Sequence, residues 1–259
     1  MSAQGAKQRL DTLIVERGLA ESRARAQALI LAGRILVGER RAEKPAALID
    51  IDAQIRIKGQ LHPYVSRGGL KLERALEHFQ LSAEGKVCAD IGASTGGFTD
   101  CLLRRGAAKV YAIDVGYGQL HHTLRTDPRV VLRERVNARF LTAAQLPEPV
   151  DVLTLDVSFI SLRQVLPPVL RRLKPGGTVV ALVKPQFEVG REKVGKGGVV
   201  KDPLARAQAI EGIAKFVAEQ GLSVLGCIDS PIEGPAGNLE ALLAAALPVS
   251  RGSGSPPAG

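Results

Sequence analysis

The chain has few aromatic residues and few cysteines, and it lacks any long apolar run. Aromatic residues make up 3% of its 259 residues, and none is tryptophan. The three cysteines, Cys88, Cys101 and Cys227, do not have metal-ligand spacing, and the first two lie in apolar patterns typical of buried side chains. No segment approaches the ~18 apolar residues of a membrane span, and residues 1–9 contain no apolar export signal. We therefore expect a reduced, cytoplasmic protein with no membrane anchor and no metal.

The net charge is strongly positive. It is +9 at pH 7, with a pI of about 9.7, which favours an anionic partner such as nucleic acid or a membrane surface. A long amphipathic helix with an aromatic face would indicate membrane binding, and the sequence has none. Nucleic acid is thus the expected partner, although a solvated basic surface without a ligand is the alternative. With so few aromatic side chains to stack on single-stranded bases, shape and phosphate contacts are the expected means of recognition.

The first sixty residues have a pattern of their own. Apolar spacing from Leu10 predicts a short helix that Gly18 ends, and Ser22 is a good N-cap for a second helix that Gly33 ends. Short alternating runs that follow predict small strands. Arg23 and Arg25 would stand in the first helical turn, where the helix dipole disfavours cations. This placement indicates an external anion such as phosphate, and an ordinary solvated face is the alternative.

These residues resemble a known RNA-binding domain. The stretches Arg9–Asp11, Ser22–Ala26 and Ile30–Val37 are similar to the S-four-type domain, which is named after a small-subunit ribosomal protein. The resemblance implies a basic helical face that cradles structured RNA. The contacts that it implies are Arg9, Ser22, Arg23 and Arg25.

After residue 70 the pattern changes to alternating strands and helices. Such alternation predicts an α/β fold with a mostly parallel, doubly wound, Rossmann-like sheet. The expected organisation is an RNA-binding α+β domain at 1–60, a linker at 61–69, the α/β domain at 70–250 and a disordered tail at 251–259. The expected strands are 87–91, 110–114, 130–132, 152–156, 178–183 and 222–228, and the expected helices are 70–79, 98–105, 162–173 and 204–219.

A glycine-rich turn follows the first strand of this larger domain. It runs from Asp90 to Phe98, and it departs from the G-x-G-x-x-G pattern of dinucleotide enzymes, which weakens a pyrophosphate interpretation. Asp114 ends the next strand, where a carboxylate can accept both hydrogens of a ribose diol. With Asp156, the set resembles S-adenosylmethionine-dependent methyltransferases. The cofactor contacts that the resemblance implies are Asp90, Gly92, Ala93, Ser94, Thr95, Gly96, Gly97, Phe98, Asp114, Asn137 and Asp156.

Four polar residues in the order Lys-Asp-Lys-Glu stand out in the same domain: Lys71, Asp156, Lys184 and Glu240. They resemble the catalytic tetrad of the FtsJ-type ribose 2′-O-methyltransferases. The flanking stretches 66–72, 155–161 and 183–188 resemble the TlyA family more closely still. The resemblance covers nearly the whole chain and implies transfer of a methyl group to a ribose 2′-hydroxyl, at cytidine, in ribosomal RNA.

The residue types suit that chemistry independently. A ribose hydroxyl is a poor nucleophile until its proton is removed or polarised, and a lysine acts as a base only in its neutral form. Lys184 is predicted at the end of a buried strand near Lys71, and both conditions favour a neutral amine, whereas Asp156 and Glu240 oppose it. Our hypothesis is that Lys184 is the base. An ordinary strand-end lysine that reaches solvent is the alternative.

Further basic residues flank the tetrad. Arg67 precedes Lys71, and a glycine-rich loop after Lys184 carries Arg191, Lys193 and Lys196. This loop is expected either to close over RNA and bind phosphates or to be a plain mobile loop. Two other functions remain open. One is a membrane-active haemolysin, a label attached historically to TlyA-type proteins, and the other is an RNA-binding protein that has lost catalysis.

Overall fold

The computed structural model describes residues 6–58, 62–234 and 236–249. Within it the chain divides into two compact units, Met1–Pro63 and Tyr64–Gly259. The predicted disordered tail at 251–259 and residue 61 of the predicted linker lie outside the described residues. Among those described, no helix is both long and apolar enough to cross a membrane.

The smaller unit contains two helices and short strands around its own core. Ser22 caps the second helix by accepting a hydrogen bond from Arg25 N at 3.2 Å, as the sequence predicts. Leu10, Ile14, Ile30 and Ile35 are completely buried against one another. The elements are β1 (Lys7–Arg9), α1 (Leu10–Glu16), α2 (Arg23–Leu31), β2 (Ile35–Val37), β3 (Arg40–Arg41), β4 (Leu48–Asp50) and β5 (Ile55–Ile57).

The larger unit alternates helices with the strands of one central sheet. Its elements are α3 (Gly68–His78), β6 (Val87–Ile91), α4 (Gly97–Arg104), β7 (Lys109–Ile113), α5 (His122–Arg125), β8 (Val130–Arg133), β9 (Val150–Leu155), α6 (Leu162–Leu170), β10 (Leu173–Val183), α7 (Pro203–Glu219), β11 (Ser223–Asp229) and β12 (Ala241–Ala246). Short 3₁₀ turns occupy Ala138–Phe140, Pro185–Phe187 and Arg191–Lys193.

The central sheet has seven strands in the order β11-β12-β10-β9-β6-β7-β8. The pairs among β10, β9, β6, β7 and β8 are all parallel, so the predicted mostly parallel, doubly wound sheet is confirmed. The sequence analysis missed β12, which pairs antiparallel with both β10 and β11. Its sequence, Ala-Leu-Leu-Ala-Ala-Ala, is rich in good helix formers. It forms a strand because two neighbours supply backbone hydrogen bonds on both sides.

Each face of the sheet buries its own apolar cluster, because side chains alternate along a strand. One face packs α6 and α7 against residues such as Ile91, Leu155 and Val183. The other packs α3 and α4 against residues such as Cys88 and Leu182. Cys88 and Cys101 are both completely buried, which confirms the prediction for these two thiols.

Helices α3 and α4 approach closely at glycine residues. A Cβ added at Gly97 would lie 2.9 Å from Gly69 N and 3.1 Å from Gly68 Cα. Only glycine, which has no Cβ, therefore allows the two helices to cross this closely. The contact positions the first turn of α3, which carries Lys71, beside the loop that leaves β6.

Candidate active site

The site lies at the edge of the sheet where the parallel strands end. The glycine loop follows β6, Asp114 follows β7, Asp156 follows β9 and Lys184 follows β10. Carboxyl ends of parallel strands meet at one edge, which is where such folds bind ligands. Because β12 runs antiparallel, its beginning lies at this edge, with Ala241 paired to Val183. Glu240 therefore stands beside Lys184, although 56 positions separate them in the sequence.

The four tetrad residues line a single cavity of about 290 Å³. Lys71 reaches it from α3, and its amine pairs with a carboxylate oxygen of Glu240. The Lys184 amine pairs with Asp156 Oδ1 at 2.6 Å. Lys71, Lys184 and Glu240 are all at least nine-tenths buried, so the two ion pairs are largely removed from water.

Ser158 is a site residue that the sequence analysis missed. Its Oγ accepts a hydrogen bond from Lys184 Nζ at 2.7 Å, and it lines both this cavity and the next one. A serine two residues beyond a strand-end aspartate is a weak signal in a sequence, because such residues are common in turns.

The Lys71–Glu240 pair leaves one acceptor open. Among the residues that the structure describes, Glu240 Oε1 is buried without a hydrogen-bond partner. A buried carboxylate oxygen without a donor is costly. This oxygen can therefore accept a hydrogen bond from a hydroxyl group that enters the cavity.

A second cavity, of about 510 Å³, adjoins the first at Gly92, Ser94, Asp156 and Ser158. Its wall combines two carboxylates, Asp114 and Asp156, with apolar side chains. Asp114 accepts hydrogen bonds from Ser94 N at 2.8 Å and Gly116 N at 2.6 Å, which hold the carboxylate at the end of β7. Asn137 also lines this cavity. The apolar wall residues are Ile113, Val115, Val136, Ala138, Val157, Phe159, Ile160 and Val165.

The glycine loop forms the partition between the two cavities. Gly92 has φ +83°, and a Cβ there would lie 2.5 Å from Asp156 O, so only glycine allows the loop to pass this close to the end of β9. Together the two cavities combine polar groups at the ends of β7 and β9, an apolar wall and the tetrad. This arrangement fits S-adenosylmethionine, which has a polar amino-acid end, a ribose diol and a flat adenine. Ala93, Ser94, Thr95, Gly97 and Phe98 line the tetrad cavity.

Two predicted cofactor contacts, Asp90 and Gly96, are not among the residues that line the two cavities. Asp90 is fully buried, and its carboxylate accepts hydrogen bonds from Thr99 Oγ1 at 2.7 Å and Thr154 Oγ1 at 3.0 Å. These hydrogen bonds support the loop, and direct contact of Asp90 with the cofactor stays a prediction. Burial raises the pKa of Asp90 to about 7. Gly96 also faces away from the cavities, since a Cβ there would meet Leu124 at 2.2 Å.

In the smaller unit, two of the predicted RNA contacts, Arg9 and Arg23, bond to a buried carboxylate. Asp11 is completely buried and accepts hydrogen bonds from Arg9, Arg23 and Gln27. The Arg9 guanidinium holds the pKa of Asp11 well below its usual range. Arg9 and Arg23 remain about half exposed, at 42% and 55%. Arg25 is exposed as well, whereas the Ser22 hydroxyl is engaged as the helix cap.

The other predicted basic residues lie on the larger unit. Arg67 is exposed and lines the tetrad cavity. Arg191, Lys193 and Lys196 are exposed on the loop after Lys184. Aromatic side chains are exposed near the site despite their low number. Phe159 is 92% exposed on the wall of the second cavity, and Arg135 lies over the Tyr117 ring at 4.5 Å.

A doubly wound sheet with a glycine loop after one central strand and acidic residues after two of its neighbours defines the class of Rossmann-like methyltransferases. Residues 64–247 match the family described as FtsJ-like methyltransferase. The chain therefore belongs to that family. Residues 8–55 match the S4 domain, which confirms the predicted RNA-binding fold at the amino-terminal end.

Three similar proteins carry this combination over most of their length. The 16S/23S rRNA (cytidine-2′-O)-methyltransferase TlyA of Mycobacterium tuberculosis (strain ATCC 25618 / H37Rv) is 48% identical over 91% of this chain and 88% of its own. Hemolysin A of Brachyspira hyodysenteriae is 41% identical over 90% of this chain and 98% of its own. A solved structure from Streptococcus thermophilus is 43% identical, covers 94% of this chain and 89% of that one, and superposes with a TM-score of 0.72.

Proposed function

We propose that this protein methylates the ribose 2′-hydroxyl of a cytidine in ribosomal RNA, with S-adenosylmethionine as the methyl donor. The observation that carries the proposal is the convergence of Lys71, Asp156, Lys184 and Glu240 on one cavity that adjoins the second, slot-like cavity. Support for the substrate comes from the printed name of the Mycobacterium tuberculosis relative and from the S4 domain. Since its substrate is ribosomal RNA, the activity belongs in the cytoplasm.

The residues around the second cavity hold the ribose and the adenine of the cofactor, and the loop from Gly92 to Phe98 holds its amino-acid end on the side of the tetrad cavity. Asp114 faces the ribose diol, and Asn137 and the apolar wall take the adenine. Bound S-adenosylmethionine supplies an electrophilic methyl group on a sulfonium. Apolar walls keep water out of the site, which favours the ribose oxygen as the acceptor.

The tetrad residues activate and orient the ribose. Lys184 takes the proton of the 2′-hydroxyl, and Asp156 holds the Lys184 amine in place at 2.6 Å. Lys71 is held by Glu240, whose open oxygen Oε1 accepts a hydrogen bond from the entering sugar. Positioning of these groups supplies the remaining rate enhancement, since the reaction needs in-line geometry.

The basic side chains hold the RNA. Arg9, Ser22, Arg23 and Arg25 form one contact surface on the smaller unit. A second set on the larger unit comprises Arg67, Arg191, Lys193 and Lys196. Guanidinium and ammonium groups bind phosphates mainly by charge, so these contacts position the RNA without reading its sequence.

The test is transfer of labelled methyl groups from S-adenosylmethionine to ribosomal subunits, followed by alkaline hydrolysis. Alkali needs a free 2′-hydroxyl to cut RNA, so 2′-O-methylation leaves labelled dinucleotides, and their composition identifies the methylated nucleotide. We expect resistant label on cytidine. If alkali leaves no labelled dinucleotides although the RNA is labelled, the methyl group is on a base and not on a ribose. Absence of label on every subunit would contradict the proposal.

A further inference from the structure

The amine of Lys184 already has two hydrogen-bond acceptors in the protein. Asp156 Oδ1 lies 2.6 Å from Nζ and Ser158 Oγ lies 2.7 Å from it. Lys184 is only 9% exposed, so water does not compete freely for these bonds. Ser158 has no part in the proposed tetrad, yet it is bonded to the residue proposed as its base.

The geometry of an amine nitrogen explains what a second hydrogen-bond acceptor can do for Lys184. A neutral lysine nitrogen is tetrahedral, with one carbon, two N–H bonds and one lone pair. If Asp156 and Ser158 accept the two N–H bonds, the lone pair has a single remaining direction. We propose that Ser158 is a positioning residue that, together with Asp156, aims the Lys184 lone pair at the ribose hydroxyl. The proposal rests on the function proposed above.

A hydroxyl suits this role better than a second carboxylate would. It accepts a hydrogen bond and orients the amine without placing a second negative charge beside it. When the reaction begins, the hydroxyl proton of the ribose forms a third N–H bond with the lone pair, and the electron pair stays on the ribose oxygen. The ammonium then releases that proton to solvent.

The segment that carries Ser158 is braced against the segment that carries Lys184. Ser161 Oγ donates to Glu188 Oε2 at 2.6 Å, and Leu162 N donates to Glu188 Oε1 at 2.8 Å. Glu188 lies four residues after Lys184, so these bonds connect the two chain segments just beyond the Lys184–Ser158 contact. The serine and the lysine are therefore held at a fixed separation before substrate arrives.

The test compares Ser158→Ala with Ser158→Thr, which keeps the hydroxyl. We expect kcat for RNA methylation to fall roughly tenfold to a hundredfold in the alanine variant, as a misaligned catalytic group does. The KM for RNA and the Kd for S-adenosylmethionine, measured by calorimetry, should stay within about twofold. The threonine variant should recover most of kcat. Ser82→Ala, whose hydroxyl accepts from Glu84 N in a surface turn, is the matched serine control.

A second measurement, which does not depend on enzyme activity, completes the test. In a crystal structure of cofactor-free Ser158→Ala, we expect Lys184 Nζ to leave its present position while Asp156 stays in place. An unmoved Nζ would overturn the proposal, as would full kcat in Ser158→Ala or a cofactor Kd that rises in proportion to the lost rate. If the wild-type protein leaves no alkali-resistant label, the proposed function fails, and the position of Nζ still decides whether Ser158 orients this amine.

Discussion

Two carboxylate-centred clusters in this protein arrange their cations in opposite ways. In the smaller unit, Asp11 is completely buried, and its partners Arg9 and Arg23 remain 42% and 55% exposed. In the larger unit the cations are buried too, since the side chains of Lys184 and Lys71 are 10% and 8% exposed, and Glu240 beside Lys71 is 1% exposed. The first cluster presents charge outward, and the second encloses it.

The choice of cation matches each arrangement. A guanidinium has five N–H donors, so it can bond to Asp11 and keep other donors for a phosphate outside. An ammonium is a compact charge that can lose a proton when it is desolvated. Under the proposed function, the ion pairs with exposed cations bind RNA and the pairs with enclosed cations take part in catalysis.

The largest expected effect comes from removing the enclosed base. Lys184→Ala should lower kcat roughly 10²- to 10⁴-fold, the usual contribution of a general base, and leave RNA affinity within about twofold. Single-turnover methyl transfer and filter binding measure the two quantities. Lys215→Ala, an exposed lysine on α7, is the matched control. Full turnover at saturating RNA in Lys184→Ala would show that the enclosed lysine is not the base.

The next effect concerns the stability of the enclosed pair Lys71–Glu240. Lys71→Met leaves the Glu240 carboxylate buried without its cation and should cost about 3–5 kcal/mol in the free energy of unfolding. Lys71→Met combined with Glu240→Leu removes both charges and should recover much of that loss. Urea unfolding of both single variants and the double variant gives the coupling. Additive losses would mean that the two groups do not depend on each other.

Asp90 is a buried acid with no cation partner among the described residues, so we expect it to make the free energy of unfolding depend on pH. The pKa of Asp90 is raised to about 7, against roughly 4 in an unfolded chain. Between these values the folded protein keeps a proton that the unfolded chain releases. The contribution of Asp90 is therefore full below about pH 4 and declines as pH rises to about 7, by up to about 1.4 kcal/mol per pH unit.

Asp90→Asn should remove this dependence, so the variant gains stability over wild type as pH rises through that window. Urea unfolding of the cofactor-free proteins at several pH values measures the difference. Asp127→Asn is the control, because Arg129 lowers the pKa of Asp127 and its titration falls below the window. A difference between Asp90→Asn and wild type that stays constant with pH would contradict the assignment.

The smallest expected effect is at the exposed cations. Arg9→Ala or Arg23→Ala should weaken RNA binding by about tenfold or less and reduce the salt dependence of the affinity by about one phosphate contact. Filter binding across a salt series measures both. Arg56→Ala, an exposed arginine on β5 that pairs with Glu39 at 2.5 Å, is the matched control. An unchanged salt dependence would show that the outward arginines only neutralise Asp11.

Local patterns in the sequence were enough to predict most elements of the fold. The helix cap at Ser22, the glycine that follows α2 and the apolar strands of the central sheet are short-range features, and the structure has them where predicted. The strand β12 was missed because its alanine-rich sequence favours helix by itself. The position of Ser158 beside Lys184 was missed because the two residues come together only when β9 and β10 pair.

The sequence by itself determined the family resemblance, the mostly parallel, doubly wound character of the α/β core and the residues proposed for the tetrad. Only the tertiary structure decided which of those residues come into contact. Antiparallel pairing brings the start of β12 to the edge where β10 ends, so Glu240 reaches the site. The same packing buried Asp90 and enclosed the lysines. Burial and partner choice depend on which elements pack together, and that information is distributed over the whole chain.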